Sequence, residues 1–263
     1  ILSAVVATAI VAMVINPVHA LFFLAVFGIM GVALGECVHR RLPAKKLFAI
    51  STAAGLVSIG LNLVLALYVL GINPVDMMFS QLDAAVPQMT QSLSGAMGAQ
   101  QAAELEAQMT ETMRLMKIVL PGAMILVAPC LVLLNYWLAR KIMARAGIQL
   151  EGFPPAERWG FPRMVALLYV LGLVGLQYLN GAGIHNWMYT LAANVWTICS
   201  MLLVVQGLVG VYWWMKRKGK NLFWFRILVF VALFLPVVTL AMTYVGGYDI
   251  LFDPRGVRKQ APD

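Results

Sequence analysis

WMYTLAANVWTICSMLLVVQGLVGVYWW, residues 187–214, contains no Asp, Glu, Lys or Arg. A helix needs about 20 mostly apolar residues to cross the hydrocarbon of a bilayer, and this stretch exceeds that. It lacks the in-out alternation of a membrane barrel strand, so a helix is the reading. Outward from it, six further segments share its character: 1–15, 18–38, 46–71, 117–139, 163–179 and 223–245. The chain is 62% hydrophobic and 11% charged, with a mean hydropathy of +0.85. Soluble domains carry about 25% charged residues, so a soluble enzyme, a secreted disulfide scaffold and a disordered tail are all excluded. The expectation is an all-α membrane protein: one polytopic domain, 1–263, with a bundle of about seven transmembrane helices. Its first residue is Ile, inside an apolar run, as expected of a chain that continues upstream.

The net charge of +8 does not signal nucleic acid, because the basic residues form short runs between apolar segments. Arg40, Arg41, Lys45 and Lys46 follow the second segment. Arg140, Lys141, Arg145, Arg158 and Arg163 follow the fourth, and Lys216, Arg217, Lys218, Lys220 and Arg226 follow the sixth. The positive-inside rule puts these turns, 39–46, 140–162 and 215–222, in the cytoplasm. The insertion 72–116 and the turn around 180–186 then face outward. So does the C-terminal tail, 247–263, although it carries Arg255, Arg258 and Lys259. That tail is the weak joint of a seven-span count.

Within the insertion, Leu105, Met109, Met113 and Met116 recur at helical spacing, and Glu104, Glu106 and Glu111 fall largely on other faces. This predicts an amphipathic helix over 102–116 leading into the fourth span. A second stripe, Met78, Leu82, Val86, Met89 and Leu93, is interrupted by Pro87, and the break lies at 94–98. Two short helices over the outer mouth are expected. Methionines at helical period are read as an amphipathic face rather than a Cu(I) site.

No P-loop, nucleophile elbow, zinc-protease motif or paired-cysteine site is present, so no enzyme, cofactor or metal is expected. Cys37, Cys130 and Cys199 read as small hydrophobes. His19 and His185 lack a third ligand and read as interfacial. Polar residues inside spans carry more information, since each needs a partner or a wet cavity. Asn62, Gln177 and Asn194 sit on three spans in the expected outer half, near Trp187 and Trp196. Amides and aromatic rings at one depth describe a pocket for a small organic solute. The same residues equally fit interhelical hydrogen bonds and an interfacial aromatic belt. Gly31 and Gly35, four apart, allow close helix packing, and Glu36 is expected to pair with His39, Arg40 or Arg41. Asn135 and Gln206 read as packing bonds. No span shows a buried charge pair, which argues against an ion-driven pump.

One order of features is familiar. Gly-x-x-x-Gly-Glu at 31–36 precedes a basic turn and a helical outer insertion. Then come Asn135-Tyr136 before Arg140, Gln206-Gly207 late in a span, and Gly246-Gly247-Tyr248-Asp249 with Asp253-x-Arg255. This resembles the YybS-like family of bacterial inner-membrane proteins of unknown function. The tail departs from the pattern at Pro254 and at Gly256-Val257. The family is similar in helical organisation to the substrate-binding S components of energy-coupling-factor transporters. What the resemblance implies is a solute-binding bundle in the inner membrane, with a coupling subunit and ATPases as partners alongside the lipid bilayer. Ala4, Thr8 and Ala12 resemble the S-component docking stripe with one departure, and Ala49-x-x-x-Ala53 matches it on the third segment. The alternative is a membrane scaffold or regulatory protein that recruits partners through its helices and basic loops.

Overall fold

The computed structural model describes residues 22–145, 147–179 and 186–257, together with Met13 and Ala20. Most of the first segment, with Ala4, Thr8 and Ala12, lies outside the described residues, as do His19, residues 180–185 and residues 258–263. Among the described residues every regular element is helical. A π-helical turn, Leu24–Gly28, leads into α1, Ile29–His39, followed by α2, Ala44–Val69, α3, Pro74–Met97, and α4, Ala99–Arg145. A short 3-10 turn, Ala156–Arg158, precedes α5, Arg163–Leu179, α6, Trp187–Arg217, α7, Phe223–Phe234, and α8, Pro236–Phe252. The chain divides into two compact units, Ile1–Gly152 and Phe153–Asp263.

In the first unit the buried face of α2 is a stripe of small and apolar residues: Leu47, Ser51, Gly55, Ser58 and Ala66. Gly55 lets α2 close on two helices at once. A Cβ built there would lie 3.2 Å from Ala128 Cβ on α4 and 3.4 Å from the Met30 sulfur on α1. The outward faces are apolar, with Val57, Leu134 and Trp137 exposed. Such surfaces need lipid to cover them.

The insertion folds as a helical pair. α4 runs unbroken from Ala99 through the apolar fourth segment, so the helix expected over 102–116 does continue into that segment. Gly98, at φ 86°, makes the reversal between α3 and α4. Pro87 does not interrupt α3, which passes through it. The packed face of α3 also differs from the stripe read off the sequence. Phe79, Val86 and Thr90 are buried, whereas Met78, Leu82 and Met89 are exposed. Lys117 explains Phe79: its ammonium lies 5.0 Å from the ring centroid and 3.1 Å from Asp83.

The described residues support three or four of the seven expected crossings. Among the described residues, α2, α4 and α6 are long and apolar enough to cross a membrane, and a fourth crossing appears only if α7 and α8 count as one. α5, at 17 residues, is shorter than that length. The seventh segment is no continuous helix, because α7 and α8 diverge by 113° at Leu235-Pro236. Proline lacks an N–H and drives the preceding residue out of helical geometry. Leu235 is accordingly extended, at φ −106° and ψ 106°. The Thr239 hydroxyl donates to the Ala232 carbonyl at 2.5 Å, the acceptor that the N–H missing from Pro236 would otherwise have served.

The core of the second unit gathers Val165, Ala166 and Tyr169 of α5, Cys199 and Leu203 of α6, and Ile250 of α8. α6 and α8 meet backbone to backbone. A side chain at Gly207 would collide with the Met242 carbonyl, and one at Gly246 with the Leu203 carbonyl. Two glycines facing each other across the crossing are what let these helices touch.

Candidate functional site

The closest helix crossing brings polar groups with it. Asp249 lies one turn beyond Gly246 on α8, facing Gln206 and Gly210 of α6; an added Cβ at Gly210 would sit 3.6 Å from its carboxylate. The Gln206 amide donates to Asp249 Oδ2 at 2.5 Å, and the Gln206 carbonyl accepts from the backbone N–H of Phe161 at 3.2 Å. Arg255 completes the cluster. α8 ends at Asp253 in a left-handed conformation, which turns the chain back so that Arg255 reaches its own helix. Its guanidinium donates to both Asp249 oxygens, Nε to Oδ1 at 2.9 Å and Nη2 to Oδ2 at 2.6 Å. Nη1 donates to the Glu157 carbonyl at 2.9 Å and Nη2 to the Trp159 carbonyl at 2.8 Å. The Arg255 and Asp249 side chains are only 2% and 4% exposed.

Asp249 and Arg255 form a buried charge pair outside the seven segments read as spans, the last of which ends at 245. Asp249 was assigned to the tail because the apolar run ended at 245, but α8 continues to Phe252 and buries it. Gln206 is more than a packing bond, since it ties α6 to Asp249 and to the loop before α5. The signal for this site was an acid in an apolar stretch six residues before an arginine; a buried charge requires such a partner.

At the rim, the Glu157 carboxylate pairs with the Lys216 ammonium. That hydrogen bond, more than Lys216's charge alone, holds the Glu157 carboxyl below the usual carboxylate range. A depressed carboxylate contributes stability above its unfolded range and loses it as pH falls through the folded value. Lys216 is more than half exposed, so solvent screens the pair and the contribution is small. Glu157→Gln should therefore lower the unfolding temperature slightly at pH 7, and the difference should vanish on acidification below the carboxylate range. A gap between wild type and variant that persists at pH 3 would contradict this.

The residues predicted to bind solute are placed as follows. In the first unit, the Asn62 amide donates to the Phe22 carbonyl at 2.9 Å. In the second, the Asn194 amide donates one turn back to the Thr190 carbonyl at 2.7 Å. Gln177 is exposed on α5, and Trp187 is 71% exposed at the start of α6. Trp196 is half-buried, as Asn62 and Asn194 are, and packs against the core of the second unit. Gly172 of α5 admits it, with an added Cβ only 3.0 Å away, and its ring stacks near Tyr169 at 6.4 Å between centroids. Its indole Nε1–H is buried and has no hydrogen-bond partner among the described residues. Gly31 and Gly35 are exposed, with nothing among the described residues within 4 Å of an added Cβ. Gly31 instead lines a cleft of about 250 Å³ with Met30, Leu34, Asn135 and Leu138. Glu36 pairs with Arg40 at 2.6 Å, one of the three partners expected. Tyr136 donates to the Glu151 carbonyl at 2.5 Å and Arg140 to that of Leu150 at 3.3 Å, pinning the end of the first unit to α4. Among the described residues no group of three or more His, Cys, Asp or Glu side chains could hold a metal.

Gly31, Tyr136, Gln206, Gly246 and Asp249, the residues that carried the family resemblance, all fall within the segment matched by the family described as "Predicted membrane protein (DUF2232)", residues 1–250. The chain belongs to this family. It is also similar to the uncharacterized protein YybS of Bacillus subtilis (strain 168). The two are 24% identical over 228 residues, covering 86% of this chain and 72% of the relative. No solved structure matches. Membership makes the exposed apolar helix faces lipid-contacting surfaces, and the YybS-like resemblance is thereby established. Arg255 lies beyond the matched segment, although its partner Asp249 lies inside it.

Proposed function

We propose that the chain is a solute-binding or transport subunit of the bacterial inner membrane, similar in organisation to an S component and dependent on a separate energy-coupling partner. The observation that carries this reading is the buried, unpartnered indole N–H of Trp196. Buried donors in native proteins are nearly always satisfied, so an orphan beside an aromatic wall is where the acceptor of a small organic solute would bind. Tyr169 supplies a ring, and Gln177 and Trp187 mark the exposed approach; Asn194, two residues from Trp196 on α6, lies on another face.

The second reading, a membrane scaffold with basic loops, is favoured by Asn62 and Asn194, whose amides already serve helix backbone. One experiment separates the two. Purified protein is screened for thermal stabilisation by a panel of water-soluble vitamins and related small heterocycles. A hit is then titrated against Trp196→Phe, which keeps an aromatic ring, smaller than indole, and removes the donor. Loss of one hydrogen bond to a buried donor should weaken affinity by about 5- to 100-fold. Failure of every panel member to stabilise, or an affinity unchanged by Trp196→Phe, would favour the scaffold.

A further inference from the structure

The apolar stretch after α6 is too short on each limb to cross the bilayer and is sharply folded. α7 has 12 residues, about 18 Å of rise against about 30 Å of hydrocarbon. It starts directly after the basic turn at Lys216, Arg217, Lys218 and Lys220. α8 then turns away by 113°, and its far end comes back to the same place. Arg255 is anchored on the Glu157 and Trp159 carbonyls, while Glu157 itself holds Lys216 at the end of α6. Both ends of the α7–α8 pair are thus fastened to one loop, 155–161.

The fold tip has the chemistry of a lipid-embedded turn. Leu233 is 76% and Val237 79% exposed, with Phe234 and Leu235 exposed between them. Irregular backbone at membrane depth is costly unless its polar groups are satisfied. Here one residue leaves helical geometry, and Thr239 supplies the donor that Pro236 lacks.

We infer that α7 and α8 form a re-entrant hairpin. It enters the bilayer from the side of the basic turn, reverses at Leu235-Pro236 within the hydrocarbon, and leaves on the side it entered. The Asp249–Arg255 pair is its latch, and the segment after Phe252 lies with the basic turns in the cytoplasm. The placement of the tail on the outer side is thereby reversed, and Arg255 rejoins the basic residues that the positive-inside rule groups together. α6 is then the last complete crossing. None of this depends on whether the protein binds a solute.

The test uses the full chain in membrane vesicles, with Cys37, Cys130 and Cys199 replaced by alanine. Single cysteines at Lys220 and at the exposed Pro254 are exposed to an impermeant maleimide in right-side-out and inverted vesicles. The hairpin requires both to label from the same side. Labelling from opposite sides would overturn it. Should the Pro254 variant fail to accumulate, an epitope after Asp263, read by antibody from each side, gives the same decision. A nitroxide at Val237 should also report the lipid interior, with high oxygen and low water-soluble reagent accessibility. Water accessibility from the side opposite Lys220 would overturn the hairpin equally.

Discussion

Gly246→Leu should abolish folding of the second unit, the largest effect expected of any single change in the chain. Its Cβ would collide with the Leu203 carbonyl and lie 2.9 Å from the Gly207 nitrogen. These are backbone atoms of a helix, and no rotamer change relieves the contact. α6 and α8 would have to separate, exposing Leu203 and Ile250 and breaking the alignment of Gln206 with Asp249. Overpacking costs typically about 1–3 kcal/mol when side chains can shift; with backbone on both sides the loss should exceed that range. Gly207→Leu should behave alike, because it meets the Met242 carbonyl from the other side. Gly31→Ala and Gly35→Ala are the contrast. Both sites are open, so the change should stay within about 1 kcal/mol and favour the helix if it acts at all. Thermal unfolding in detergent reads all four. Equal tolerance of Gly246→Leu and Gly31→Ala would mean that the glycine crossing does not hold the unit together.

Arg255→Ala should be nearly as damaging. The variant leaves the Asp249 carboxylate buried with Gln206 as its remaining donor, and strips the Glu157 and Trp159 carbonyls of theirs. Removing one partner of a buried ion pair costs about 3–5 kcal/mol, because the other charge stays out of water. Arg255→Lys should recover only part of this. A lysine ammonium is a point donor and cannot span two carboxylate oxygens and two carbonyls as the guanidinium fork does. Limited proteolysis offers a local readout: the loop 155–161, held by Arg255, should become the first site of cleavage in Arg255→Ala. A wild-type cleavage pattern would count against the latch.

The helical segments were legible because apolar length sets them, and the run of α4 through 102–116 was legible because its methionines keep helical period. The Glu36–Arg40 pair was legible because both residues lie one turn apart on one helix. What was hidden depends on contacts between segments. Pro87, Pro121 and Pro129 lie inside unbroken helices, whereas Pro236 begins a new one. Nothing local distinguishes them; the difference lies in where the preceding residue can turn and in Thr239 standing ready to take the freed carbonyl. Gly31 and Gly35 show the familiar spacing along one helix and meet nothing among the described residues. Gly207 and Gly246 show none and meet each other, since their pairing exists only across the fold. Asp249 was misplaced because hydropathy sets a span's end by the apolar run, not by the partner that makes a buried acid tolerable.

The claim on which the account of the second unit rests is that Asp249 and Arg255 act as one buried pair. A double-mutant cycle with Asp249→Leu, Arg255→Leu and their combination, followed by thermal or denaturant unfolding in detergent, measures it directly. The pair predicts two strongly destabilised single variants and a double variant that recovers a substantial part of the loss, with a coupling of at least about 1.5 kcal/mol. Losses that add to within about 0.5 kcal/mol would contradict it, and with it the latch.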